Sequence, residues 1–172
     1  MKENKGAVTF QGNPLTLMGD LVKVGDDAPD IELTANDMTG FKLSSLGGKV
    51  CVLLSVPSLD TPVCDTETRK FNKAIEDLGA DVHLIAVSMD LPFAQARWCG
   101  ASGIKIAKTL SDYKEAKFGK EYGLLIKELH LLARAVLVVD REGDVRYVEL
   151  VKEVADEPNY DKALEEVKKL LQ

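Results

Sequence analysis

Three cysteines are the residues in this chain with the most chemistry to offer, and their settings differ. Cys64 closes the run Pro57-Ser58-Leu59-Asp60-Thr61-Pro62-Val63-Cys64. Thr61 suits an N-cap, and proline is favoured at the first helical position after it. That register puts Cys64 at N3, among unpaired backbone N–H groups at the positive end of a helix dipole. Such a position favours the thiolate, the nucleophilic form. Asp60, Asp65 and Glu67 oppose it, because nearby negative charge disfavours a second anion. The dipole supplies only ~0.3–1 kcal/mol at an exposed site, so a cation is needed. Arg69, Lys70 and Arg134 are the candidates, and local sequence does not choose among them. Read alone, Cys64 is also compatible with an inert first-turn cysteine.

Cys99 lies between Trp98 and Gly100. With Gly100 as the C′ residue, it falls at the C-terminal end of a helix, followed by a mobile Gly100-Ala101-Ser102-Gly103. A thiol on a frayable end can move to meet a partner, and the competing reading is a structural cysteine beside Trp98. Cys51 sits inside the β-prone run Val50–Val56, where cysteine behaves as a small buried hydrophobe. His83 and His130 stand singly among apolar residues, without a second ligand at metal spacing. No glycine-rich phosphate loop and no Ser-His-Asp signature is present.

The elements that position these thiols alternate between strand and helix after a β-rich start. Val8–Phe10 and Leu15–Leu17 flank a turn-rich Gln11-Gly12-Asn13-Pro14 and predict a hairpin. Ile31–Thr34 pairs with Phe41–Leu43, and Val50–Val56 reads as a strand covered on both faces. A helix is predicted over 62–78, with Phe71, Ala74, Ile75 and Leu78 on one face. A strand over Val82–Val87, a helix over Leu91–Trp98 and a short strand over Ile104–Leu110 follow. Ala135–Val139 then turns through Arg141-Glu142-Gly143-Asp144 into Val145–Leu150. A final helix spans about 160–171, capped by Asn159. The pattern predicts one α/β domain over residues 1–172, a mixed central sheet covered by helices, with an extra N-terminal β-hairpin.

Composition narrows the setting. The 172 residues carry 28 acids against 22 bases, a net charge of −6, which argues against nucleic acid or an anionic membrane surface as partner. No apolar run approaches the ~18 residues of a membrane span, and no secretory h-region follows Met1. The expected compartment is the cytoplasm. Three cysteines without a C-x-x-C pair do not form a disulfide framework.

The run from Pro57 to Cys64 fits the P-x-x-x-T-x-x-C pattern of the peroxiredoxins, and the chain resembles most fully the bacterial thiol peroxidase subfamily, which are atypical two-cysteine peroxiredoxins. The resemblance extends to Thr9–Pro14, Asp90–Gly100, Tyr122–Lys127 and Leu132–Val136, in order. It implies a thioredoxin-like fold with the N-terminal hairpin as an addition. It also implies that Cys64 is the peroxidatic cysteine and Cys99 the resolving one, joined as an intrachain disulfide. Thr61 would hydrogen-bond the thiolate and the peroxide, Arg134 would be the cation, and Pro57 would shield the thiolate from water. Hydrogen peroxide and organic hydroperoxides would be substrates, thioredoxin the reductant and a homodimer the assembly, with no metal or other cofactor. Cys51 matches no functional position, and Trp98 stands where phenylalanine is expected. Two other readings share these residues: a thioredoxin-type disulfide exchanger, which the missing C-x-x-C opposes, and a redox sensor in which the disulfide alters binding to another protein.

Overall fold

In a computed structural model, which describes residues 1–79, 81–105 and 107–172, the chain forms a seven-stranded mixed sheet and a smaller four-stranded one. β1 (Glu3–Phe10) and β2 (Asn13–Met18) are the N-terminal hairpin, paired Val8 to Leu15 and Phe10 to Asn13. The pair is longer than its apolar residues alone indicate. β3 (Glu32–Thr34) and β4 (Gly40–Lys42) form the second pair, and β5 (Val50–Ser55) leads into helix α1 (Pro62–Leu78). Then come β6 (Val82–Ser88), α2 (Pro92–Ser102), β7 (Ala107–Ser111), α3 (Lys117–Tyr122), β8 (Leu125–Ile126) and β9 (Leu131–Leu132). β10 (Ala135–Val139), β11 (Val145–Leu150) and α4 (Tyr160–Leu171) complete the chain. The large sheet runs β11-β10-β5-β6-β7-β3-β4, with β5, β6 and β7 parallel; the small one runs β1-β2-β8-β9.

Successive residues of β5 point to opposite faces, as a strand requires. Val50, Val52 and Leu54 join Phe71 and Ile75 of α1 and Ala163 and Val167 of α4 in one apolar cluster. Cys51 and Leu53 join the other, with Leu17, Phe118, Tyr122 and Leu132 from the small sheet and α3. Burial on both faces explains why β5 reads as an unbroken apolar run. The Asn159 side chain accepts a hydrogen bond from the Lys162 N–H and starts α4 as predicted.

Three expectations change. The helix carrying Cys99 does not stop at Trp98: it runs through Ser102, and Gly103, at φ 70°, takes the left-handed terminal position assigned to Gly100. Gly100, Ala101 and Ser102 are helical, so Cys99 sits inside the helix rather than at its end. The predicted 104–110 strand begins at Ala107; Ile106, within that prediction, lies outside the described residues. Helix α3 and the two-residue strands β8 and β9 have no counterpart in the sequence reading.

Candidate active site

The loop between β5 and α1 is fixed by one carboxylate. The Ser58 hydroxyl donates to Asp90 Oδ1 (2.7 Å), and the Leu59 N–H and Ser88 hydroxyl donate to Asp90 Oδ2 (2.8 and 2.7 Å). Gln95 Nε2, fully buried, donates to Ser88 Oγ (2.9 Å) and so ties the same node to α2. Pro57 is buried within this loop. Thr61 occupies the N-cap with extended backbone angles, but its side chain caps nothing. Its hydroxyl donates instead to the Ser58 carbonyl (2.8 Å). A hydroxyl that faces back into the loop tightens the turn and leaves its own lone pairs uncommitted.

Cys64 is at N3 of α1 and fully buried. One turn further along the same face, as i to i+3 spacing requires, lies Glu67, also fully buried. Arg134 NH1 stands 3.6 Å from Glu67 Oε2. Sheet register explains how a residue 70 positions away arrives there. Ala135 pairs with Ser55 across β10 and β5, which sets Arg134 beside the start of the Cys64 loop. Arg134 Nε donates to the Val154 carbonyl (2.8 Å), while NH1 and both Glu67 oxygens have no hydrogen bond among the described residues.

The chain segment that supplies that carbonyl is itself braced. The Thr9 N–H donates to the Lys152 carbonyl and the Val154 N–H to the Thr9 carbonyl, both at 2.8 Å. The Thr9 hydroxyl and the Gly12 N–H both donate to Glu153 Oε1 (3.1 and 2.9 Å). The N-terminal hairpin therefore buttresses the segment that orients Arg134.

Electrostatics near Cys64 differ from the sequence expectation. Burial pushes the Glu67 carboxyl up to about 8 despite the attraction of Arg134, so near neutrality Glu67 holds its proton and does not neutralise the guanidinium, whose other anionic neighbour, Glu157, is hydrogen-bonded by Lys70 and Tyr160. Asp65 is paired with Arg69 through a hydrogen bond of 2.9 Å. Two of the three acids expected to oppose the thiolate are thus neutralised. Of the three candidate cations, Arg69 is engaged by Asp65 and Lys70 by Glu157 at 3.3 Å. Both are about half exposed, against 2% for Arg134.

A pH effect follows. The folded protein keeps the Glu67 proton to about 8, whereas an unfolded chain releases it near 4.5. The native state therefore binds more protons across that window, and stability falls as pH rises through it. Glu67→Gln is expected to flatten this decline by up to about 1.4 kcal/mol per pH unit, read as urea midpoints from pH 5 to 8. An unchanged slope would show that Glu67 ionises normally.

Cys99 lies in a polar niche. Its sulfur is 3.3 Å from Thr109 Oγ1 and 3.8 Å from Asn36 Nδ2, and Thr109 donates to Asn36 Oδ1 (3.0 Å). Trp98, packed against the cluster that contains Cys64, donates its indole N–H to Asp65 Oδ1 (2.9 Å). All three cysteines are free thiols. Cys51 is buried, and burial pushes its thiol up to about 12, which makes it inert at neutral pH. A cavity of about 280 Å³ bordered by Cys51, Leu53 and Tyr122 lies at the opposite end of β5 from Cys64 and has no part in this site.

The Redoxin family model matches residues 23–164. The chain belongs to the Redoxin family. The Redoxin relatives include thiol peroxidases of Halalkalibacterium halodurans, 50% identical over 96% of this chain and 99% of that one, and of Bacillus subtilis, 49% identical over 95% and 98%. Such identity over nearly the full length marks a peroxiredoxin-type thiol peroxidase. Among solved structures, a peroxiredoxin-like protein from Aquifex aeolicus superposes with a TM-score of 0.89 at 44% identity, covering 96% of this chain and 97% of that one. The thiol peroxidase from Chromobacterium violaceum, 22% identical, shares the fold with a TM-score of 0.86, over 94% and 95%. The fold is the expected mixed sheet flanked by helices with its added N-terminal hairpin.

Within this Redoxin site, sequence reasoning had given Glu67 only an opposing charge and Asp90 no role. Glu67 stands three residues after Cys64, so helical spacing signalled a shared face; its burial depends on tertiary packing. Asp90 lies in the stretch whose resemblance was noted, yet only the fold shows it organising the loop before Cys64.

Proposed function

We propose that Cys64 attacks the peroxide, that Cys99 resolves the product as an intrachain disulfide, and that thioredoxin restores both thiols. The observation that carries this reading is Arg134 NH1, buried against Glu67 on the face of α1 that holds Cys64 and without a hydrogen bond among the described residues. In the attack, sulfur displaces one peroxide oxygen from the other, and negative charge develops on the departing oxygen. Donors already aimed along that path stabilise it without reorganisation. Arg134 supplies a planar fork that stays charged. In the free protein the Thr61 hydroxyl holds the Ser58 carbonyl, and its lone pairs are left to accept the peroxide O–H. When the site is loaded, that hydroxyl swings to the thiolate. Pro57 walls the thiolate from water.

The product is the Cys64 sulfenic acid and water, or an alcohol from an organic hydroperoxide. The Cys99 thiol then displaces hydroxide from that sulfur, giving the Cys64–Cys99 disulfide and water. A dithiol reductant opens it by exchange. We place this cycle in one domain of residues 1–172, working in the cytoplasm as a homodimer, where thiols are kept reduced. Among the described residues, no helix is long and apolar enough to cross a membrane.

The test is NADPH oxidation coupled through thioredoxin and its reductase. Cys99→Ser is expected to lose continuous turnover by at least about a hundredfold while still consuming one equivalent of peroxide in a single burst. Sustained thioredoxin-coupled turnover by Cys99→Ser would overturn its role as the resolving thiol.

A further inference from the structure

The two cysteine-bearing helices are joined by contacts that the peroxidase cycle does not use. Asp65, the residue after Cys64, accepts from the indole of Trp98, the residue before Cys99, at 2.9 Å. The other oxygen of Asp65 accepts from Arg69 Nε (2.9 Å), and Arg69 NH1 donates to the Ser102 carbonyl in the last turn of α2 (3.1 Å). The chain Trp98–Asp65–Arg69–Ser102 thus spans the first turn of α1 and the C-terminal half of α2.

We propose that these four residues form a clasp that must open before the disulfide can close, and that its strength sets how long the Cys64 sulfenic acid persists. The proposal rests on the reading of Cys64 and Cys99 as a redox pair. Neighbouring residues on an α-helix project about 100° apart. While both turns are helical, Asp65 and Trp98 meet across the gap, and Cys64 and Cys99 project elsewhere. The surroundings agree with this: Cys64 belongs to the apolar cluster under α1, and the Cys99 sulfur faces Thr109 and Asn36. A disulfide needs Cα atoms within about 7 Å and converging Cβ vectors. Bond and clasp are therefore alternatives, each excluding the other.

The consequence is a kinetic branch. From the sulfenate, one route is condensation with the Cys99 thiol, which forms the S–S bond and releases water. The other is attack on a second peroxide, which breaks its O–O bond, transfers one oxygen to sulfur and leaves a sulfinate and water or an alcohol. A tighter clasp favours the second route and a looser one the first. Asp65, Trp98 and Arg69 are positioning residues, since none is placed at the reacting atoms.

Trp98→Phe keeps the aromatic packing and deletes the indole donor; Arg69→Gln releases the anchor on Ser102 from an exposed position. Rapid-quench oxidation with hydrogen peroxide, thiol alkylation and mass spectrometry would follow each cysteine. In both variants the disulfide is expected to form about three- to tenfold faster, the equivalent of roughly 0.7–1.4 kcal/mol for one part-exposed charge-assisted hydrogen bond. In Trp98→Phe, sulfenylation of Cys64 should stay within about twofold of wild type, whereas Arg69→Gln also frees the Asp65 charge and should slow it; in both, the peroxide dose giving half sulfinate should rise with the disulfide rate. A purely structural role would slow both steps together. Wild-type fluorescence offers a parallel readout, since Trp98 is the one tryptophan of the chain, and its emission should shift to the red as the disulfide forms. Unchanged or slower disulfide formation in both variants overturns the clasp while leaving the redox pair intact. A wild-type protein that forms no Cys64–Cys99 disulfide overturns the pair, and the clasp with it.

Discussion

Cys64→Ser is expected to lower peroxide-dependent turnover by at least about a thousandfold. A serine hydroxyl at the same first-turn position remains protonated at neutral pH, so the helix dipole and the buried cation have no anion to stabilise. The substitution replaces sulfur by oxygen at a fully buried site with little change in volume, so the fold should survive. Stability is therefore expected to fall by no more than about 1–2 kcal/mol, the cost of placing a hydroxyl among apolar side chains. The decisive comparison is the burst of peroxide consumption in the absence of reductant. Wild type should consume at least one equivalent and Cys64→Ser none. A full burst from Cys64→Ser would move the nucleophile to Cys99, the remaining thiol with some exposure to solvent.

Arg134→Met carries the second large effect. Deleting one preorganised donor to developing charge typically costs about a hundred- to a thousandfold in rate, and here the same group is also the buried cation of the proposed site, against Glu67. The loss should appear in the rate of Cys64 oxidation under single-turnover conditions, with the subsequent disulfide step untouched. Stability changes less than for most broken buried ion pairs, because Glu67 is not left as a naked charge: its carboxyl, pushed up to about 8, keeps its proton. What is lost is the hydrogen bond from Nε to the Val154 carbonyl and the packing of a long side chain, about 1–3 kcal/mol. Arg134→Lys should recover part of the rate, since it restores charge without the fork that reaches Val154 and Glu67 together. Wild-type kinetics in Arg134→Met would assign the cation's role elsewhere, with Lys70 the next candidate.

How far the sequence foretold this arrangement depends on the kind of signal. Helix α1 was legible to the residue because its boundaries are local chemistry: Thr61-Pro62 begins it and Gly79, at φ 99°, follows its end. Strands β10 and β11 were equally plain from an apolar run, a polar turn and a second run. The end of α2 was misplaced because Gly100 and Gly103 both offer a left-handed terminus, and only packing decides between them. Helix α3 escaped because six residues are too few for a period to stand out, with Phe118 and Tyr122 its only apolar pair at i and i+4, and its start is set by Ala116 in a left-handed conformation. At the site, the position of Cys64 followed from capping rules alone. The choice of Arg134 over Arg69 and Lys70 needed family resemblance, because strand register across β5 and β10 brings it there. The proton on Glu67 and the bond from Trp98 to Asp65 had no local signal at all, since both depend on neighbours distant in sequence.

The bracing of Arg134 by both ends of the chain has a consequence for the protein at its birth. Cys64 is synthesised early, with Arg134 still 70 residues away. The strand that aligns Arg134 and the carbonyl that orients it come later, the last of these at Val154, where Thr9 has been waiting as a partner. At ordinary elongation rates the 90 residues separating Cys64 from Val154 take about 5–20 s to appear. If Arg134 acts as proposed, the nascent thiol lacks its cation through that interval and should react with peroxide as slowly as any other cysteine. On the proposed roles, sensitivity to oxidant would begin only once Val154 is in place, when Cys99 and a closed fold already exist to make the oxidation reversible.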